Sequence, residues 1–520
     1  MRRAPFRAFS RHKKKNTSTV PKRLTRRAYR TSIFLFARAP TADRGAEKRS
    51  SNLFKKKKED SLEIFASAPI PKAVLANGIP AMIAMLMVLI YNVADTFFVG
   101  QTHNALMVAA VSVATPVFLL FMGVGNIFGI GGTSVISRAL GEGRKDYAKK
   151  VCSFCMWGCV VVGIVLAVLL IAFMDPVLRL IGASEDTWKY TKDYLTIVSF
   201  AGPFVLVSHC FSNVIRTEGR AQTAMAGQII GNLLNVVLDP IMILAMRMGT
   251  AGAAWATAIS NVVGALFYVA FLVGKKSILS IRPRDFSMSG GIFTGVMAIG
   301  VPASLGQILM SVSHILANGR LASYNDDMAL AGYGVAMKIM MFTGILCVGF
   351  GQGVQPLLGY CVGAKNFPRF RKSLRMSVLF GAAISTLMMV LCYVFVKLLS
   401  GLFLTDQAAL DYSVWFSRVM LSTSFLFGLF FVLANALQAM GEAGNALIVN
   451  LSRQGIVYIP ALLILNSLWG MSGLIWAQPI ADVLSTILVV FLYFISIRKL
   501  ERKAAETSDL PDENIAAEGL

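Results

Sequence analysis

Charge is what this sequence is short of. Of its 520 residues only 15% are Asp, Glu, Lys or Arg, where a soluble domain carries roughly a quarter. Between about residues 71 and 497 charge gives way to apolar blocks too long for an ordinary water-soluble enzyme or nucleic-acid-binding domain. Histidine is scarce too, with four residues. There is no Walker loop, no HExxH pair and no nucleophile elbow, which argues against an ATP-driven pump built from this chain alone and against a membrane-embedded hydrolase; the expectation is a non-enzyme without a cofactor. Seven cysteines are scattered through apolar segments, so no disulfide framework is implied. Cys152, Cys155 and Cys159 share one helical face, but no second Cys/His pair stands at ligand spacing, and small apolar packing is their expected role rather than metal binding.

What is present is 56% hydrophobic residues gathered in long blocks. About 20 residues of helix cross a hydrocarbon layer, and exposed strands would leave backbone groups unpaired there. The spacing predicts an all-α integral membrane protein with twelve transmembrane helices, over 71–99, 105–133, 150–173, 189–213, 224–246, 251–273, 290–317, 328–358, 373–398, 412–437, 445–467 and 472–497. Lys and Arg crowd the loops after spans 2, 4, 6 and 8 and thin out after the odd spans, which places both termini in the cytoplasm of a plasma (inner) membrane protein.

The formal net charge of +23 says little about partners, because residues 1–58 hold 20 Lys/Arg against Asp43 and Glu47. This basic stretch suggests a tail, not a nucleic-acid-binding domain. It reads as an arm at an anionic lipid surface or an extension from an upstream start, ahead of an organelle transit peptide, and no fold is assigned to it. The expected layout is a basic tail at 1–68, a first lobe at 69–275, a cytoplasmic linker at 276–289, a second lobe at 290–498 and a C-terminal tail at 499–520.

An internal repeat supports two lobes. "GIPA" at 78–81 returns as "GVPA" at 300–303, an offset of 222 that also pairs Gly129 with Gly351, Gly131 with Gly353, Gly141 with Gly363 and Gly219 with Gly441. "GTAGAAWA" at 249–256 matches "GMSGLIWA" at 470–477. Six spans per copy is an even number, so both copies enter the membrane the same way. They form two parallel six-helix bundles of the kind that rock about a central cavity.

Against this apolar background, "YNVADTFFVG" places Asp95 inside span 1, with Asn92 and Thr96 beside it. In span 5, Asn232, Asn235 and Asp239 are spaced i, i+3, i+7 on one face. Both carboxylates are expected in the outer half of the bilayer at similar depth, where a charge is costly unless it meets water or a partner. Their repeat counterparts are Ala317 and Ala461, so the scaffold does not need an acid at either place. Carboxyls among Asn and Thr oxygens can hold a proton or a desolvated Na⁺, and the pair reads as a cation-coupling site. Lys338, inside span 8, is a gating or coupling candidate, with snorkelling as the alternative. Asp482 in span 12, the counterpart of Asn261, is expected to make a packing hydrogen bond, and His209 and His314 to be packed against neighbours. Glycine clusters "GVGNIFGIGG" and "GFGQGVQPLLG" permit close helix approach.

Together "YNVADTFFVG", "GEGRKDYAKK" after span 2 and "NLLNVVLDPI" in span 5, within twelve spans in two halves, resemble the MATE (multidrug and toxic compound extrusion) family, in its MepA-like and DinF-like bacterial branch, over about residues 70 to 498. The resemblance implies a V-shaped, monomeric pair of bundles that exports bulky amphipathic, often cationic drugs in exchange for H⁺ or Na⁺. It implies that Asp95 and Asp239 hold the coupling cation, assisted by Asn235, Tyr194 and Thr257, with membrane lipid the other partner. Asn92 joins the set on helix geometry, and span 1 is expected to bend near Pro80. The rival within the same superfold is a lipid-linked oligosaccharide flippase. Its cavity would need several Arg or Lys, and the one cation this reading finds inside a span is Lys338.

Overall fold

The structure, a computed structural model, describes residues 61–508, with side chains through 502. It is helical throughout, with no strand among the described residues. The first half runs α1 (Ile70–Gly100), α2 (Ala105–Gly141), α3 (Lys145–Ala172), α4 (Glu185–Val214), α5 (Ala221–Asp239, continued by a π-helical turn Pro240–Ala245) and α6 (Thr250–Val273). The second runs α7 (Ile292–Ala322), α8 (Asp327–Gly363), α9 (Phe367–Val394), α10 (Gln407–Leu421 and, after a bend of 42°, Ser424–Met440) and α11 (from Ala443 through a π-helical turn Ser452–Ile456). α11 and α12 look continuous over Ala443–Arg502, but Gly470 breaks them with φ 58° and ψ −139°. With that break counted, the single helices, the bent pair and the two halves of the long helix make the expected twelve crossings.

Helix ends explain why turns fall where they do, and they repeat at the offset seen in the sequence. Asn104 caps α2 by accepting from the Leu106 amide, and Asp326, 222 residues on, caps α8 by accepting from the Ala329 amide. The backbone turns left-handed at the paired positions His103 and Asn325, Gly143 and Lys365, and Gly219 and Gly441. Gly249 before α6 (φ 56°, ψ −130°) matches Gly470 before α12. Side chains differ at most of these sites, so the shared backbone is the signature of one fold used twice.

The halves meet along two equivalent crossings. In one, α1 lies on α8: Gly78 faces the Phe350 ring, and Gly353 faces the Asn77 carbonyl and Ala81. In the other, α7 lies on α2: Gly300 faces the Ile127 carbonyl, and Gly131 the Val296 carbonyl. Only a residue without Cβ lets backbones come this close. Polar contacts reinforce the seam. Ser134 donates to the Gln438 carbonyl at 2.5 Å and Ser304 to the Gly123 carbonyl at 2.7 Å. Among the described residues, the hydrogen bonds and glycine contacts between halves reach no farther along these helices than Met85, Gly123 and Ser304. All lie toward the end at which α1 and α7 begin. The V is closed there, and beyond it Val93 on α1 and Ile315 on α7 stand exposed.

Two expectations about the ends need correction. Residues 61–66, assigned above to a tail without fold, form a helical turn whose Phe65 is fully buried. Arg369 of the second half donates to the carbonyls of Phe65 (2.6 Å) and Ala68 (2.7 Å), holding the end of that turn. At the other end α12 extends through Ser508, past the predicted span and into the expected C-terminal tail. The rest of the basic tail lies outside the described residues.

Candidate functional site

Asp95 and Asp239 come together inside the first half, and the local fold explains how. α5 carries its polar stripe inward: Asn232, Asn235 and Asp239 are all buried. Asp239 ends the regular α-helix, and Pro240, which has no N–H to donate back, begins the π-turn Pro240–Ala245. Such widened turns are frequent at functional sites because they re-aim the side chains beside them. α1 brings Asp95 within electrostatic reach of Asp239. α4 supplies Tyr194, buried and within reach of both acids and of Thr257. α6 supplies Thr257, whose hydroxyl accepts from Asn235 Nδ2 at 3.4 Å.

What marks the cluster is unmet hydrogen-bonding capacity. Asp239 is wholly buried, yet neither of its carboxyl oxygens has a hydrogen-bond partner; Asp95 Oδ1 and Asn235 Oδ1 are likewise buried and unpartnered. Buried polar atoms are nearly always paired, because an unpaired one costs about 1–3 kcal/mol. Four acceptor oxygens in one polar cluster, three of them on two like-charged groups, describe a place that a proton or a hard cation would stabilise. Beside it, Tyr91, His209, Asn232, Asn235, Thr257 and Asn261 help line a cavity of about 20 Å³, room for about one water. Among the described residues no group of three or more His, Cys, Asp or Glu could hold a metal ion, so any ion here would rest on amide and hydroxyl oxygens as well as the acids.

A family comparison decides the identity. The MatE family model matches residues 80–241 and again 302–464; the two matches start 222 residues apart, the repeat already seen in sequence and backbone. The chain belongs to the MatE family. It is 31% identical over 455 residues to the multidrug export protein MepA of Staphylococcus aureus (strain MRSA252), covering 87% of this chain and 99% of that one. It is 32% identical over 439 residues to MepA of Staphylococcus haemolyticus (strain JCSC1435), covering 84% and 96%. A solved outward-facing conformation of a multidrug resistance MATE family transporter superposes with a TM-score of 0.81 at 23% identity, over 85% of this chain and 99% of that one.

In this MatE chain the other expected residues fall in several places. Pro80 is buried within continuous α1, at the seam beside Gly78. Asn92 is not drawn into the buried cluster: it is exposed, and its amide donates to the Val88 carbonyl of its own helix at 2.8 Å. Tyr91, next to it, takes the inner position instead, within reach of both acids. Its spacing of four from Asp95 was the available signal. Lys338 is not buried but exposed, with its ammonium 5.1 Å from the centre of the Phe403 ring; its flexible stem carries the charge out along the helix. His209 lines the first-half cavity. Cys152, Cys155 and Cys159 are buried, and Cys155 donates to the Phe128 carbonyl.

Lys338 is also not the one cation within the helices. Arg453, on the π-turn of α11, donates through Nε to Asp482 Oδ1 at 2.8 Å, and Asp482 is 1% exposed. The Asp482 interaction is thus a buried ion pair rather than a simple packing hydrogen bond. Arg453 lies within the expected span 445–467 but was not counted among cations inside the membrane, and only the fold shows it paired with an acid on the next helix.

Proposed function

We propose that this protein is a secondary antiporter of the plasma membrane that exports amphipathic, often cationic compounds in exchange for H⁺ or Na⁺, with both termini in the cytoplasm. The observation that carries the reading is the first-half cluster. Asp95 and Asp239 present unpartnered buried oxygens beside Asn235, Tyr194 and Thr257, and no hydrogen bond from a described residue offsets that cost. A proton or Na⁺ does. The MepA relatives, named as multidrug export proteins, supply the substrate class. The basic loops support a closed end of the V on the cytoplasmic side and a cleft that opens outward.

In the cycle, the outward-open protein releases drug as the acid pair takes up its cation. Loading repacks α1 and α5 about the π-turn and Pro80, the seam opens, and the cation leaves to the cytoplasm as drug enters. Coupling requires the two ligands to prefer different states, since equal affinity for both states shifts nothing.

Everted vesicles containing the full chain test this by uptake of a fluorescent cationic dye, driven first by a pH gradient and then by a Na⁺ gradient. The expected result is gradient-dependent transport lost in Asp95→Asn and Asp239→Asn. Wild-type rates in both variants, at normal protein levels, would sink the assignment.

A further inference from the structure

Residues 61–68 sit at the closed end of the V and touch both halves. On the first half, the Ser61 carbonyl and Ile64 rest against Gly219, at the turn after α4, where a Cβ would overlap that carbonyl. On the second, the fully buried Phe65 packs on Tyr360 near the end of α8, with ring centres 5.6 Å apart. Arg369, in the first turn of α9, donates to the Phe65 and Ala68 carbonyls at 2.6 and 2.7 Å. Tyr360 is itself a seam residue. Its carbonyl and the Ala364 amide face Gly141 at the end of α2, and Gly363 faces the Arg138 carbonyl. The segment therefore bridges the line along which α2 and α8 meet.

The repeat gives this contact a counterpart. At the offset of 222, Arg369 and Ala68 correspond to Tyr147 and Gly290, and the Tyr147 hydroxyl donates to the Gly290 carbonyl at 3.0 Å. Each half thus uses its third helix to hold the segment that leads into the first helix of the other. The two segments differ in how they are tied. The linker before α7 continues the chain from α6 and is pinned along the first half: Ser153 donates to the Arg282 carbonyl, Trp157 to the Ile281 carbonyl, and Ser277 to Glu218. No peptide chain joins residues 61–68 directly to the second half. Arg369 and Tyr360 hold them there, and contacts of that kind can break and re-form. Where the linker is met by a neutral tyrosine, the free segment is met by a two-pronged, charge-assisted donor.

We propose that residues 61–68 form a clasp that fastens the outward-open state at its closed end. Arg369 and Tyr360 grip the segment while the seam is shut and release it when the protein turns inward, the segment staying with Gly219 of the first half. The proposal rests on the export reading above, because the clasp biases the alternation in that cycle. A contact made in one state and broken in the other shifts their ratio by its full worth.

Spin labels at Val93 and Ile315, exposed beyond the seam on α1 and α7, read the two states of the full chain as long and short distances. Arg369→Gln is expected to raise the ratio of short to long about tenfold, the worth of one charge-assisted hydrogen bond. Phe65→Ala is expected to move it the same way. Arg369→Lys, which keeps the charge and loses the fork, is expected to shift it less, and it decides the matter if Arg369→Gln fails to fold. Tyr147→Phe removes the mirrored hydrogen bond while Glu218 still holds the linker, and is expected to match wild type. Unchanged distances in the Arg369 and Phe65 variants, even with a lower melting point, overturn the proposal, and so does an equal shift in Tyr147→Phe. Wild type is measured in acid buffer with Na⁺ and in alkaline buffer without it. If its distances differ between the two, the export reading stands whatever the variants do to the clasp. If wild type keeps one distance in both, that reading falls, and this inference with it.

Discussion

Replacing Gly131 by alanine puts a methyl group into the closest part of the seam. A Cβ there would overlap the Val296 carbonyl of α7 and lie 3.1 Å from Val296 Cγ1. Neither the carbonyl nor the backbone behind it can rotate away. The equivalent position on the partner helix is just as tight, since a Cβ on Gly300 would lie 2.9 Å from the Ile127 Cα. The two helices must therefore move apart locally or tilt. Overpacking of this kind costs about 1–3 kcal/mol. If the seam opens when the protein turns inward, that cost falls on the outward-open state alone. A shift of about 1–3 kcal/mol changes the ratio of the two states by roughly 5- to 150-fold. Spin labels at Val93 on α1 and Ile315 on α7, which are 58% and 71% exposed beyond the seam, report the opening through their distance distribution. All seven native cysteines are buried, which favours selective labelling of introduced ones. The expected outcome is a new short-distance population in Gly131→Ala. Gly123→Ala, on the same helix with no atom within 4 Å of its would-be Cβ, is expected to match wild type. A wild-type distribution in Gly131→Ala, at wild-type thermal stability, would refute the idea that this seam parts during transport.

Two other sites give stability predictions. Glu218 is fully buried, and its Oε1 accepts from the Ser277 hydroxyl at 2.6 Å and from the amides of Ile278 and Leu279, both at 2.7 Å, tying the linker between halves to the turn after α4. Glu218→Ala strands those donors and is expected to cost about 3 kcal/mol, seen as a lower melting point and faster tryptic cleavage within 275–284, with Glu218→Gln losing less. Gly470→Ala forces a side chain into φ 58°, ψ −139°, a region that is essentially glycine's, and is expected to cost about 1–3 kcal/mol. Space is not the obstacle, with Tyr324 Oη 3.5 Å from the would-be Cβ, so an unchanged melting point would mean the backbone there relaxes freely.

Much of the architecture was legible in the chain because the bilayer simplifies the reading. Where backbone groups cannot meet water, an apolar block about 20 residues long has one structural solution, so the spans and their number follow from hydropathy. The repeat was legible because an equal offset between glycines survives where side chains have drifted. Asp95 and Asp239 stood out because a carboxylate in such a background is expensive. Helix boundaries were less accurate: α2 and α8 run to Gly141 and Gly363, well past the predicted spans, since a helix continues through polar residues once its hydrogen-bond ladder is started.

The sequence by itself determined the membrane class, the twofold repeat and the two acids that break it, because each rests on local composition or on a constant spacing. Which polar residues share a site was decided only by tertiary structure. Helical period left Tyr91 and Asn92 as near-equal neighbours of Asp95, and packing turned the first inward and the second out. Lys338 and Arg453 are both cations within helices. The fold exposes the one beside Phe403 and pairs the other with an acid 29 residues away, a distance along the chain that no pattern of spacing encodes. Contacts between segments far apart in sequence depend on how twelve helices tilt and cross, and that is settled by the glycines at their crossings rather than by the residues that do the chemistry.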